Sequence, residues 1–282
     1  MIIEENVNLS KYTTLKIGGT AKKFYRPSSL TELQNLSKKL ETLRILSGGS
    51  NLLINDEFEF DHVIYMGDYE KNLLSICEDG IITASSSIKI QQLIQFANKN
   101  GLGGAEYLYS LPALVGGIVA MNAGRGKSHS KSISDYILSV DVVIEGSLKT
   151  LSKSECEFSY RKSNLAEGKI IIHAVRFKFD KLSIDEGKKR IKERIDYSKV
   201  FQPINMPSAG SVFKKADGRI MRILRVFSRE KSGLYFSKKT SNWITNGGGG
   251  TYKEAMKLAR LVERLHRVLG KKIEVEWHIW SH

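Results

Sequence analysis

Residues 110–124 read Ser-Leu-Pro-Ala-Leu-Val-Gly-Gly-Ile-Val-Ala-Met-Asn-Ala-Gly, the longest apolar run in the chain, yet they carry three glycines. Pro112 suits the opening of a helix, because its missing N–H falls where helix donors are unpaired anyway. Gly116 and Gly117 suit a helix poorly, at roughly 1 kcal/mol each against alanine. Two adjacent glycines in an apolar setting imply that something approaches the backbone closely. Asn122-Ala-Gly124 then breaks the run with an amide and a residue tolerant of positive φ. A buried helix with a tight crossing point explains this stretch as well as a ligand does, and a second glycine cluster upstream makes the ligand worth weighing.

The chain of 282 residues is long enough for two domains, and its 41% apolar and 26% charged content describe an ordinary globular protein. No apolar run reaches the ~20 residues that span a bilayer. The first residues, Met-Ile-Ile-Glu-Glu-Asn, lack the basic segment of a signal peptide, so the cytoplasm is the expected location. Cys77 and Cys156 are too few for a disulfide scaffold, the six histidines form no ligand cluster, and no metal is expected. The net charge of +14 favours anionic partners: nucleic acid, a membrane surface or a phosphorylated small molecule. The cations are spread through helical stretches at 187–199 and 253–272, which reads as a lysine-rich solvated surface. Neither aromatic-laced basic patches nor a recognition motif stands out, so no specific nucleic-acid partner and no membrane partner are expected.

In chain order, residues 1–9 read as a lead-in and 23–26 as a strand. Leucines at 30, 33, 36 and 40 mark a helix, and 43–46 reads as a strand. That strand enters Ser47-Gly-Gly-Ser-Asn-Leu-Leu-Ile54, whose successive N–H groups can form a nest for an anion such as a pyrophosphate. A strand follows, whereas the Walker and Rossmann loops open a helix; a plain hairpin turn is the competing explanation. Further strands are expected at 63–66, 80–85, 137–145, 148–151 and 169–179, and helices at 88–100, 185–200, 220–227 and from 251. Thr251-Tyr-Lys-Glu254 is a capping box. Residues 272–280 alternate, with Ile273, Val275, Trp277 and Ile279 on one side and Glu274, Glu276, His278 and Trp280 on the other. The elements lack a regular βαβ rhythm, and the expected class is α+β.

Six segments occur in an order that resembles a known family: 14–21 (Thr-Leu-Lys-Ile-Gly-Gly-Thr-Ala), 47–53, 112–117 with 121–124, 160–163 (Tyr-Arg-Lys-Ser), 207–214 (Pro-Ser-Ala-Gly-Ser-Val-Phe-Lys) and 273–276. Together they resemble the UDP-N-acetylenolpyruvoylglucosamine reductase (MurB) family, in its shorter, type II form. The resemblance implies a PCMH/VAO-type FAD-binding domain at 1–182, with subdomains of about 1–66 and 67–182. A smaller α+β substrate domain would follow at 183–282. It also implies a monomeric flavoenzyme that takes hydride from NADPH. The product, UDP-N-acetylmuramate, would come from the enolpyruvyl ether of UDP-N-acetylglucosamine, for cell-wall peptidoglycan. A PCMH-type flavin oxidoreductase with another substrate is the alternative.

By resemblance, Arg161 is the catalytic arginine, Ser211 the proton donor and Glu276 the catalytic glutamate. Glu274 shares the strand face of Glu276, which is preferred because it occupies the second acidic place of the family's ending. Gly48, Gly49, Ser50, Asn51 and Leu52 would hold the FAD pyrophosphate. Gly116, Gly117, Asn122 and Gly124 would lie against the rest of the cofactor. Tyr160 and Asn242 are substrate-site candidates. The chain departs from the family pattern at Ala113, usually glycine, at Ser228-Arg-Glu-Lys-Ser-Gly233, and at Thr240, where the family has histidine. The last two put sugar-nucleotide contacts in question more than flavin binding.

Overall fold

The protein is described by a computed structural model, which covers residues 1–42, 44–125, 131–166, 169–227 and 233–282, with backbone alone at 226 and 227. The chain packs as two units: Met1–Glu5, Lys23–Gly48 and His62–Ile195 in the first, Asn6–Lys22, Gly49–Asp61 and Asp196–His282 in the second. Among the described residues the α-helices are α1 (Leu30–Lys39), α2 (Ile90–Lys99), α3 (Val115–Ala120), α4 (Ile184–Phe201), α5 (Gly218–Phe227) and α6 (Tyr252–Val268).

The first unit is built on a five-stranded sheet ordered Ser147–Ser152, Ile137–Ile144, Ile171–Lys178, Ile81–Ser85, Leu74–Ile76, each pair antiparallel. Its inner strands are apolar at consecutive positions because both faces are covered. Val142 and Ile172 join the cluster containing Leu93, Ile94 and Val119 of α2 and α3. Their neighbours Val143 and Ile171 join the cluster of Leu33 and Leu36 from α1, as the two-residue strand repeat requires. Ser29 caps α1 by accepting from the Glu32 N–H. Arg44–Leu46 runs parallel to the end of Glu59–Tyr65, with Ile45 opposite Ile64. Residue 43, expected to begin that strand, lies outside the described residues.

The second unit holds a three-stranded antiparallel sheet, Ser208–Ser211, Trp243–Asn246, Leu234–Phe236. Helices α5 and α6 pack on it through Met221, Leu224, Ala255, Ala259 and Val262. The capping box opens α6, with Thr251 and Glu254 each accepting the other's N–H. His278–Trp280 runs parallel to Leu52–Ile54.

Three local expectations fail. Residues 2–8 form a strand rather than a lead-in. Pro112 does not open a helix: α3 starts at Val115, while Ala113 accepts from the Ile90 N–H and Leu114 bridges Lys89. Only His278–Trp280 of the alternating C-terminal stretch is a continuous strand, and Trp280, placed by alternation with the polar residues, is 3% exposed against Phe60. Aromatic area outweighs alternation there.

Candidate active site

In the first unit, the two glycine clusters meet. A Cβ on Gly48 would lie 3.2 Å from Ala113 Cα and from the Pro112 carbonyl, and one on Gly117 would lie 3.0 Å from Ser47 Oγ. Gly116 donates its N–H to the Ser86 carbonyl at 2.8 Å, and a Cβ there would stand 2.9 Å from Ser86 Cβ. The Ala113 methyl that departs from the family pattern packs in the apolar cluster of this unit.

Seven buried side-chain polar atoms among the described residues lack a hydrogen-bond partner, and four of them are hydroxyls of the first unit: Ser47 Oγ, Ser86 Oγ, Tyr107 Oη and Ser110 Oγ. An unmatched buried hydroxyl costs about 1–3 kcal/mol. Two of them, Ser47 and Ser86, lie against Gly117 and Gly116, and a polar ligand there would complete them. Burial pushes the Tyr107 hydroxyl far up its titration range, and the Arg161 charge acts against that shift. Sequence reasoning missed all four hydroxyls; the one local signal was the run Ser85-Ser-Ser87 beside an apolar strand.

Arg161 is held by the end of α3. Its Nη2 donates to the Gly124 carbonyl at 2.5 Å, Asn122 Nδ2 donates to the Ser159 carbonyl at 2.8 Å, and Ser163 Oγ donates to the Ala120 carbonyl at 2.6 Å. The Asn122 Oδ1 accepts from the Ser134 N–H. These bonds fix loop 159–163 at both ends and keep Arg161 at φ +57°, a region that a non-glycine residue occupies only under such constraint. The guanidinium lies 5.0 Å from the ring centre of Tyr160, itself 52% exposed. Gly124 is required by protein, since a Cβ would meet the Lys131 carbonyl at 2.3 Å.

The second unit brings Ser211 and Glu276 onto adjoining segments. The Glu276 N–H donates to the Val212 carbonyl at 2.8 Å, and Phe213 bridges Val275. Ser208–Ser211 contains a register shift, with Gly210 at φ +73°, so the strand kinks where Ser211 leaves it. Ser211 Oγ accepts from Trp243 Nε1 at 3.2 Å. Glu274 is engaged elsewhere, in an ion pair with Lys214 at 2.6 Å.

The neighbouring amides hold backbone. Asn242 accepts from the Phe213 N–H and donates to the Phe213 carbonyl, clamping the chain just past Ser211. Asn51 donates to the Glu276 carbonyl at 3.0 Å and its own carbonyl accepts from the His278 N–H. Gly49 has φ +59°, and a Cβ would collide with the Tyr12 carbonyl at 2.2 Å. Ser50 is half-buried and Leu52 buried beside it. Thr240 donates to the Phe201 carbonyl at the end of α4, and residues 228–232 of the divergent stretch lie outside the described residues. No group of three His, Cys, Asp or Glu among the described residues is arranged to hold a metal.

The profile of the FAD binding domain family matches residues 21–151. UDP-N-acetylenolpyruvoylglucosamine reductase of Thermotoga maritima is 31% identical, over 96% of this chain and 96% of its own. The enzyme of the same name from Carboxydothermus hydrogenoformans is 32% identical, over 96% of this chain and 90% of its own. The crystal structure of UDP-N-acetylenolpyruvylglucosamine reductase from Thermus caldophilus superposes with a TM-score of 0.83 at 29% identity, covering all of both chains.

Proposed function

The chain belongs to the UDP-N-acetylenolpyruvoylglucosamine reductase family, and we propose that it is an FAD-dependent, NADPH-consuming reductase. It converts UDP-N-acetylenolpyruvoylglucosamine to UDP-N-acetylmuramate for peptidoglycan. The observation that carries this reading is the identity of about 30% along nearly the whole of both chains, joined to the Ser211–Glu276 arrangement.

Bound FAD supplies hydride transfer. Gly48, Gly116 and Gly117 hold it by close backbone approach, with Ser47, Ser86, Ser110 and Tyr107 as added hydroxyl contacts. Gly49, Ser50, Asn51 and Leu52 carry the pyrophosphate turn, and Asn122 and Gly124 act by holding the arginine loop. The order of domains, 1–182 for FAD and 183–282 for substrate, belongs to the same proposal, as do a monomeric state and a cytoplasmic location.

Ser211 gives a proton to the α-carbon of the reduced enolpyruvyl group. The Trp243 indole can only donate, so it occupies a lone pair of Ser211 Oγ. The hydroxyl proton then points to another acceptor, and the bond to the indole eases its departure. Arg161 provides a permanent charge for the enol-carboxylate, with Tyr160 stacked on it. Glu276 sets the polar environment of the proton donor. Asn242 positions the strand beyond Ser211 and does not itself contact substrate.

The test is spectral and kinetic. Purified protein should be yellow, with flavin absorption bands, and should consume NADPH when the enolpyruvyl sugar nucleotide is added. Protein that stays colourless after FAD reconstitution, or that oxidises NADPH equally without the sugar, rejects this reading.

A further inference from the structure

Helix α6 buries Ala255, Ala259, Val262 and His266 in the second unit. The opposite row is Lys253, Lys257, Arg260, Arg264 and Arg267, all exposed, with the spacing of four and three that keeps residues on one helix face. The row runs for about 22 Å at 1.5 Å per residue. Lys253 is paired with Glu57, but among the described residues no carboxylate lies within ion-pair distance of Lys257, Arg260, Arg264 or Arg267. Of the two acids of α6, Glu254 is held in the capping box and Glu263 lies half-buried off this face. Lys272 continues the charge beyond the helix end, while Lys271 is paired with Asp217.

Exposed aliphatic side chains flank the cationic row. Here Leu261 is 42% exposed, Val268 76% and Leu269 58%. Leu261 and Val268 lie two turns apart, beside Arg264. We propose that this face of α6 docks on a bilayer surface containing anionic phospholipid. The cations would sit at headgroup phosphates, and Leu261 and Val268, which flank Arg264, would enter the acyl boundary. Such a surface offers anionic and apolar partners at the depths these side chains reach, with long Lys and Arg stems spanning between them. A nucleic-acid backbone would satisfy the cations but leave the aliphatics in water, and the face carries no aromatic side chain for base stacking. A second copy of the same face would place like charges together.

Flotation of the full-length holoenzyme with vesicles tests this. The protein should float with vesicles of three parts phosphatidylcholine to one part phosphatidylglycerol at about 0.1 M salt, where exposed charges still act over ~10 Å, and not with phosphatidylcholine alone. Each cation near an anionic surface contributes about fivefold to partitioning, so Lys257→Gln with Arg264→Gln should lower it about twenty-five-fold. Lys149→Gln with Lys153→Gln, exposed in the other unit, changes net charge equally and should have little effect. Leu261→Asn with Val268→Asn should weaken binding while leaving its salt dependence unchanged. Flavin absorption and reductase rates of every variant should match wild type, showing that the fold is kept. Three results overturn the proposal: no flotation of the wild type, equal loss from both charge pairs, or an aliphatic pair without effect on vesicle binding. The last, with duplex DNA competing fully, would mark the face as a general anion or nucleic-acid surface.

Discussion

Substituting Gly116 and Gly117 separately divides the two explanations for a glycine pair in α3. Alanine in place of a helical glycine gains roughly 1 kcal/mol. At position 117 the new methyl meets the Ser47 hydroxyl at 3.0 Å and Ser47 Cβ at 3.4 Å. That hydroxyl has no hydrogen bond to lose, so it can turn aside at little cost. The FAD-free protein with Gly117→Ala should therefore be as stable as wild type or up to about 1 kcal/mol more stable. At position 116 the methyl meets Ser86 Cβ at 2.9 Å and the Ser86 carbonyl at 3.2 Å. Ser86 cannot retreat, since its carbonyl accepts from Gly116 and its N–H donates to His173. Overpacking of that kind costs about 1–3 kcal/mol, leaving a net loss of about 0–2 kcal/mol after the helix gain. If FAD lies against the backbone at Gly117, the same methyl costs about 1–3 kcal/mol of affinity, which is about fivefold to a hundredfold in Kd. Urea unfolding of the flavin-free protein and fluorescence titration with FAD measure the two quantities independently. Gly117→Ala protein that binds FAD as well as wild type would refute the close approach and return that glycine to helix packing.

Ser211→Ala should leave reduction of the flavin by NADPH intact and slow its reoxidation by the sugar nucleotide by at least the ~10²–10⁴-fold of general acid catalysis; stopped-flow absorbance resolves the two half-reactions. Glu276→Gln should impair the same second half-reaction, whereas Glu274→Gln, which removes only the exposed pair with Lys214, should change stability by less than about 1 kcal/mol. Burial lowers the pKa of His173, with the Arg176 charge in the same direction and Asp141 and Glu70 opposing. The unfolded chain then takes up this proton first as pH falls below about 6.5. Melting temperature should drop from that pH downward until the folded histidine titrates, and His173→Gln should flatten the slope. Thr251→Ala removes the capping hydroxyl that accepts from the Glu254 N–H and should cost about 1 kcal/mol in denaturant titration.

Local spacing revealed the elements whose burial is one-sided. The leucines of α1, the capping box of α6 and the cluster on its inner face were all readable, because one apolar stripe and one polar stripe repeat at the helical period. The inner strands of the first unit were readable as strands, but their sequence alone could not say that Val142 and Val143 serve different cores. Strand 2–8 was missed because most of it is exposed, so no alternation marks it.

The site residues divide in the same way, by whether their reason is local. The glycine clusters announced close approach, yet what approaches differs from one to the next: the carbonyls of Tyr12 and Lys131 at Gly49 and Gly124, the serine side chains at Gly116 and Gly117. Asn51, Asn122 and Asn242 read as site residues through the family resemblance. Each bonds backbone distant in sequence, at Glu276, Ser159 and Phe213, and such a partner leaves no trace in the nearby residues. In the proposed reading their consequence is functional. The three amides fix the segments bearing Glu276, Arg161 and Ser211, so a change such as Asn122→Ala should lower turnover through loss of arginine placement while FAD affinity holds. Equal loss of FAD affinity would make Asn122 a direct cofactor contact.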